Sequence, residues 1–494
     1  MPNIIIGISI VITNVIICCF SWYFHKKDKH NLALGLIILC GVIIRIFVSA
    51  DGFLHEWDEQ FHALVAKHLT YHHLIPTLYE NPVLPYDFTN WSENHVWLHK
   101  QPLALWGMAL GLKLFGLNEW AIRIPTIIIS CLGIWLTYNI CKNLFDKKTA
   151  WFAAFLHAIH GYIVELTGGR VATDHTDIYF LVFIALGIFL SILSSQNANK
   201  RWLDILTGIA TGLAVLAKWL PALIVLPVFA LLHFDKKSSI VRITTGLITV
   251  IAFCFLVSAP WQFYIDEAFP KEAAWEKHYN WVHITEAVET HSAQWYYHLR
   301  NLPMLFGELI YLPLIVFLYF TIKKRQTKYI AIALWVFTPL IFFSIVATKM
   351  KAYILFTAPA IFIITALAIR FLLIHKRKFK YKWVPNLVIL LLLALPIRYS
   401  IERIKPFSKA PRNPEWSIEL KSLAKKITAK NAVVFNIDHP IKAMFYGNFT
   451  AYKRIPEIEK IQELIKKGYQ IYLYKITPST KQKYDGVSGI NFID

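Results

Sequence analysis

The chain has 494 residues, of which 56% are hydrophobic and only 17% charged, with a net charge of +20. A soluble globular domain carries about 25% charged residues, and here apolar windows of about 20 residues, each long enough to cross a bilayer, recur along most of the chain. The composition excludes a soluble protein. The positive charge does not point to nucleic acid either: the basic residues gather in short loops, "HKKDKH", "DKKT", "NANKR", "DKKSS", "KKRQTK" and "HKRKFKYK", as they do in cytoplasmic loops of an inner-membrane protein.

In chain order, the first apolar run, 3–24, lacks a basic leader and a small-residue cleavage site, and reads as a retained span. Further spans are expected at 31–49, 119–141, 148–167, 177–195, 202–219, 220–234, 241–262, 302–322, 329–347, 353–373 and 383–399, about twelve in all. With every basic loop in the cytoplasm, segments 50–118, 168–176, 263–301, 348–352 and the tail fall on the other face. Segment 101–116 is apolar, but if it crossed, "DKKT" and every later basic loop would lie outside. It is expected to lie along the interface or only dip into it. From residue 401 the composition changes: "NAVVFNIDHPIKAMFYG" and "GYQIYLYKI" read as short strands, and "EIEKIQELIKKG" as a helix closed by glycine. The expected fold is mainly α: a polytopic transmembrane helical domain over 1–400, with outer loops 50–118 and 263–301, and a small α/β extracytoplasmic domain over 401–494. The six cysteines lie in or beside apolar spans without a Cys-x-x-Cys pair, which argues against a disulfide frame or a zinc site.

Chemistry gathers in the non-cytoplasmic loops. "HEWDEQFH" places Asp58 and Glu59 where a span would leave the bilayer, followed by Phe61, Leu64, Val65 and Leu69 at helical spacing. The two acids suit catalysis, and they equally suit the first turn of a helix. Lys100 stands two residues before Pro102, at the start of a helix, where a cation and free amides make an anion site; a lysine meeting lipid headgroups is the plainer alternative. "GGRVATDHTD" carries Arg170, Asp174 and Asp177, acids that are costly at a membrane boundary unless solvated or paired. "TKMKAYILFTAPA" supplies Lys349, Lys351 and Tyr353, placed to hold a phosphate or to snorkel. Loop 263–301 is rich in rings, His278 and Tyr279 among them, suited to stacking on a sugar or to an aromatic interface belt.

Taken in order, "DEQFHALVAKHL", "HKQPLALWGMALGLKLFGLNEWAIRIP", "GRVATDHTDIYFLVFIALGIF", "GLAVLAKWLPALIVLPV" and "TKMKAYILFTAPA" resemble the ArnT-like and protein-mannosyltransferase-like membrane glycosyltransferases of the GT-C fold, over roughly residues 45–375. Two departures are visible: Lys100-Gln101-Pro102 where the family commonly has lysine–proline–proline, and the extra span at 3–24. The resemblance implies a polyprenyl-phosphate-linked sugar donor and chemistry on the outer face. It implies that Asp58 is the catalytic carboxylate with Glu59 its neighbour. It assigns the lipid phosphate to Lys100, Lys218, Lys349, Lys351 and Tyr353 and matches Asp174 to a family acid; from the loops themselves, Arg170 is expected at the phosphate, and Asp174, Asp177, His278 and Tyr279 are expected to contact substrate.

The expected function is transfer of a sugar to an acceptor hydroxyl, on a glycolipid such as lipid A, a polysaccharide or a protein Ser/Thr. A single inverting displacement with Asp58 as base fits one carboxylate and one anionic leaving group. The alternative is a transporter or flippase of a lipid-linked sugar, for which no repeated halves are visible. No cofactor is required and no nucleotide motif is present, while a divalent metal ion is compatible with the phosphate. The expected partners are the lipid-linked donor, the acceptor and the bilayer, with no nucleic acid. The expected location is the inner membrane, multi-pass, with the site and the tail domain extracytoplasmic.

Overall fold

The computed structural model describes residues 3–197, 199–235 and 239–493. The loop "DKKSS" and the turn "NANKR" fall partly outside the described residues. Eight described helices are long and apolar enough to cross a membrane: Asn3–Lys26, His30–Val48, Glu119–Leu144, Asp174–Gln196, Ile240–Ala268, Thr327–Ile345, Lys351–Lys378 and Trp383–Ile404. Counting the bent pair Tyr297–Phe306 and Glu308–Lys324 as one span gives up to nine. The protein is therefore a multi-pass membrane protein, but the expected count of about twelve is not reached by such helices.

The shortfall has local causes. Segment 148–167 is two helices, Lys147–Ile159 and Gly161–Thr167, parted at His160, whose extended backbone and ring cap the second one. Segment 202–219 is the 17-residue helix Trp202–Lys218, and 220–234 opens with a 3-10 turn, Leu220–Ile224, before Val225–Asp235. Segment 302–322 bends by 118° after Pro303, at Gly307, whose φ of +97° suits glycine alone. The helix Pro102–Phe115 has 14 residues, about 21 Å at 1.5 Å per residue, short of a bilayer's hydrocarbon core.

The chain divides into two compact units. The first comprises residues 1–50, 100–104 and 125–410 and holds the long apolar helices. Asp174–Gln196 is mostly buried and central, whereas Asn3–Lys26 is mostly exposed and peripheral. Two buried arginines inside this unit find partners, as an apolar surround demands. Arg45 donates to Ser130 Oγ at 2.7 Å and to the carbonyls of Gly41 and Ala158 at 3.1 Å. Arg242 pairs with Asp204 at 2.8 Å.

The second unit comprises residues 51–99, 105–124 and 411–494, so most of the outer loop 50–118 and of the tail share one body. Its sheet is entirely parallel, in the order β2-β1-β3-β4 (β1 Ala432–Phe435, β2 Thr450–Tyr452, β3 Gln470–Tyr474, β4 Ile490–Ile493). Val433 pairs with Thr450 on one side and Ile471 on the other, and Ile471 with Ile490. β1 is buried along its whole length, as a central parallel strand should be. The expected helix is Ile458–Lys466, and Gly468 follows it at φ +87°. The rest of "NAVVFNIDHPIKAMFYG" departs from the strand reading: Pro440 starts a helix, Pro440–Tyr446.

Candidate active site

In the second unit, Asp58 and Glu59 occupy the first turn of the helix Asp58–Leu69, with Lys67 and His68 in the last, the order that complements the helix dipole. The cap position belongs to Trp57, which makes no side-chain cap bond. The two acids have different surroundings. Glu59 is fully buried, whereas Asp58 is partly exposed. Arg123 grips Glu59 with Nε to Oε1 at 2.6 Å and Nη2 to Oε2 at 2.8 Å, and the His55 amide donates to Oε2 at 2.7 Å. The same guanidinium donates to the carbonyls of Asp51 and Phe53. Arg412 pairs with the Asp51 carboxylate at 3.1 Å. The stretch before Asp58 is thus pinned to a buried cation.

The far end of this helix is anchored as well. Lys67 donates to the carbonyls of Met444 and Gly447, each at 2.6 Å. Burial pulls the Lys67 ammonium down to a pKa of about 8, against the pull of Glu80. Buried His62 meets Trp97 edge-on at 5.6 Å, and Trp91 stacks on His99 at 4.8 Å.

In the first unit, a left-handed step at Thr173 and Asp174, with φ of 65° and 22°, opens Asp174–Gln196. Asp177, one turn in, pairs with Lys218 Nζ at 2.5 Å and accepts from the Thr173 hydroxyl. The charge of Lys100 bears on Asp177, and the charge of Asp177 bears on Tyr353. The Lys218 ammonium lies 5.3 Å from the centre of the Tyr353 ring. Four expected site residues, Lys100, Asp177, Lys218 and Tyr353, are therefore brought together.

The other expected residues sit apart from this core or are already engaged. Arg170 donates to the Ile404 carbonyl at 3.1 Å, and Asp174 is buried and accepts from the His175 amide. Lys349 is buried, with Nζ on the carbonyls of Phe343, Ser344 and Val346. It closes the end of the helix Thr327–Ile345, and burial lowers its pKa. Lys351 Nζ lies 3.9 Å from Met304 Sδ. Tyr279, on the helix Pro270–Thr285, donates to Glu289 at 2.9 Å and stacks on Trp275 at 6.1 Å, and burial raises its pKa. His278 is exposed, 5.9 Å from the Trp275 ring.

Sequence reasoning missed Arg123, and it missed a second pair, Glu165 with Arg403 at 2.5 Å. Arg403 also covers the Tyr162 ring at 5.0 Å, and both charges bear on Lys351. An acid inside an apolar run needs a partner, so Glu165 carried a signal; Arg403, far along the chain, carried none. Among the described residues, no group of three or more His, Cys, Asp or Glu is arranged to hold a metal ion.

Residues 99–264 match the family described as dolichyl-phosphate-mannose-protein mannosyltransferase. The undecaprenyl phosphate-alpha-4-amino-4-deoxy-L-arabinose arabinosyl transferase 1 of Pseudomonas fluorescens (strain Pf0-1) is 28% identical over 289 residues, covering 54% of this chain and 48% of its own. The corresponding transferase of Pseudomonas aeruginosa (strain UCBPP-PA14) is 28% identical over 273 residues, 52% of this chain and 47% of its own. The chain thus spans about half the length of these curated relatives. ArnT from Cupriavidus metallidurans, bound to undecaprenyl phosphate, superposes with a TM-score of 0.63 at 15% identity over 92% of this chain and 94% of that one. The oligosaccharyltransferase AglB from Archaeoglobus fulgidus, in complex with an inhibitory peptide and a dolichol-phosphate, follows at 0.56 and 13%, over 87% of this chain and 65% of that one. Residues 99–264 thus resemble the mannosyltransferase family, and the chain as a whole shares the fold of ArnT and AglB.

Proposed function

We propose that this chain is an integral-membrane glycosyltransferase that moves a sugar from a polyprenyl-phosphate donor to an acceptor hydroxyl. The acceptor is a glycolipid such as lipid A, a polysaccharide or a protein Ser/Thr, met on the extracytoplasmic face of the inner membrane. The observation that carries the reading is the division of labour between two adjacent acids: Arg123 holds Glu59 in the interior, and Asp58 is left partly exposed on a pinned segment. The undecaprenyl-phosphate-linked sugar in the name of the Pseudomonas relatives, and the lipid phosphates bound to ArnT and AglB, support the donor class.

Asp58 acts as the general base. Its carboxylate takes the acceptor proton while the acceptor oxygen attacks the anomeric carbon, and the bond from that carbon to the phosphate oxygen breaks. The polyprenyl phosphate leaves with both bonding electrons and growing negative charge, which basic side chains offset. Asp177 holds the Lys218 ammonium in place, and Glu59 positions Asp58 rather than sharing its chemistry. One displacement inverts the anomeric centre.

Mass spectrometry of glycolipids, polysaccharides and glycoproteins from cells carrying the wild-type chain or Asp58→Asn tests the reading. Loss of one sugar from one species identifies sugar and acceptor together. Identical profiles with normally inserted protein overturn the assignment.

A further inference from the structure

The second unit sets another cation against the same acidic segment. Lys442, on the helix Pro440–Tyr446, is fully buried, with Nζ 4.2 Å from the centre of the Trp416 ring. Among the described residues its ammonium has no hydrogen-bond partner. The charges that bear on it are those of Glu56 and Glu59, the residues flanking Trp57 and Asp58. A chain of rings runs the same way: Trp416 meets Phe53 edge-on at 5.5 Å, and Phe53 meets His55 at 4.9 Å.

An ammonium buried without an acceptor is costly. An apolar side chain of the same length would fill the space without that cost. What Lys442 supplies there is charge, and the charge is directed at residues 56–59. Glu59 already has its own cation in Arg123, so a second one is not needed to neutralise it.

We propose that Lys442 is a positioning residue for Asp58: its ammonium, seated on Trp416, draws the Glu56–Glu59 carboxylates toward the tail segment and holds the Asp58 turn in one arrangement. The proposal rests on the reading of Asp58 as the base. It makes the α/β tail a working part of the transferase.

The test compares wild type, Lys442→Met and Lys442→Arg as full-length protein in detergent. Two readouts are used. One is hydrogen exchange at the amides of residues 53–61. The other is steady-state transfer with undecaprenyl-phosphate aminoarabinose as donor probe and lipid A as acceptor probe. Lys442→Met should speed exchange at 53–61 at least fivefold while β1 keeps its protection. It should also lower kcat about tenfold, the size expected for one member of a coupled network, with KM for the donor little changed. Lys442→Arg should restore both. Unchanged exchange at 53–61, or faster exchange across β1 as well, overturns the proposal. Retained transfer in Asp58→Asn overturns the base assignment instead, and the exchange result, which needs no turnover, still decides whether Lys442 orders the turn.

Discussion

Arg123 and Glu59 form a fully buried, two-pronged ion pair, 2.6 Å between Nε and Oε1, and the guanidinium reaches two backbone carbonyls of the same segment as well. Removing one partner of such a pair leaves the other charge stranded, at about 3–5 kcal/mol. Glu59→Gln is therefore expected to lower thermal stability in detergent more than Asp58→Asn does. Equal melting temperatures for the two variants would contradict this placement of Glu59.

Asp58→Asn should insert and fold as wild type does, because Asp58 is partly exposed whereas the buried Glu59 is gripped by Arg123. Transfer should fall by about 100-fold or more, the usual contribution of a positioned base. Near-normal turnover would remove Asp58 from the chemistry.

Lys218 and Lys349 should behave differently, although both were expected at the phosphate. Lys218 faces Asp177 and Tyr353, so Lys218→Ala should raise KM for a polyprenyl-phosphate donor. Lys349 is bound to backbone carbonyls at the end of a helix, so Lys349→Ala should lower stability and leave the donor KM of the surviving protein near wild type. Donor-concentration series on both variants decide the matter; a donor defect confined to Lys349→Ala would reverse the assignment.

Lys67 gives a pH dependence with a defined sign. Its pKa falls from 10.5 to about 8 on folding because burial disfavours the ammonium. Below pH 8 both states hold the proton, and the folded chain carries the full cost of burying it. Between 8 and 10.5 the unfolded chain binds more proton than the folded one, so stability rises with pH. Above that window the term is constant. The melting temperature of wild type relative to Lys67→Met should therefore climb from pH 8 to 10; a flat or falling difference would refute the shift.

Much of this was legible along the chain, and what was not has a physical reason. The helix Asp58–Leu69 followed from acids leading a helical apolar period, and β1 and β3 from β-branched and aromatic runs. β2 has only three residues, too few for a pattern to rise above chance. Glu59 could not be told from Asp58, because its partner lies 64 positions away inside what reads as an ordinary span. Lys349 resembled a phosphate ligand because its acceptors are carbonyls, which every residue has. The span count ran high because apolarity marks burial as well as lipid contact: His160 and Gly307 break the runs without changing their hydropathy.

The anchoring of Lys67 also bears on when this protein becomes competent during synthesis. Its two acceptors lie 377 and 380 positions further on, beyond the last described helix long and apolar enough to cross a membrane, Trp383–Ile404. A ribosome that has made and inserted all of those helices has still not supplied the carbonyls that seat the far end of the Asp58 helix. The Asp58 helix is therefore seated late, after the membrane helices have been made.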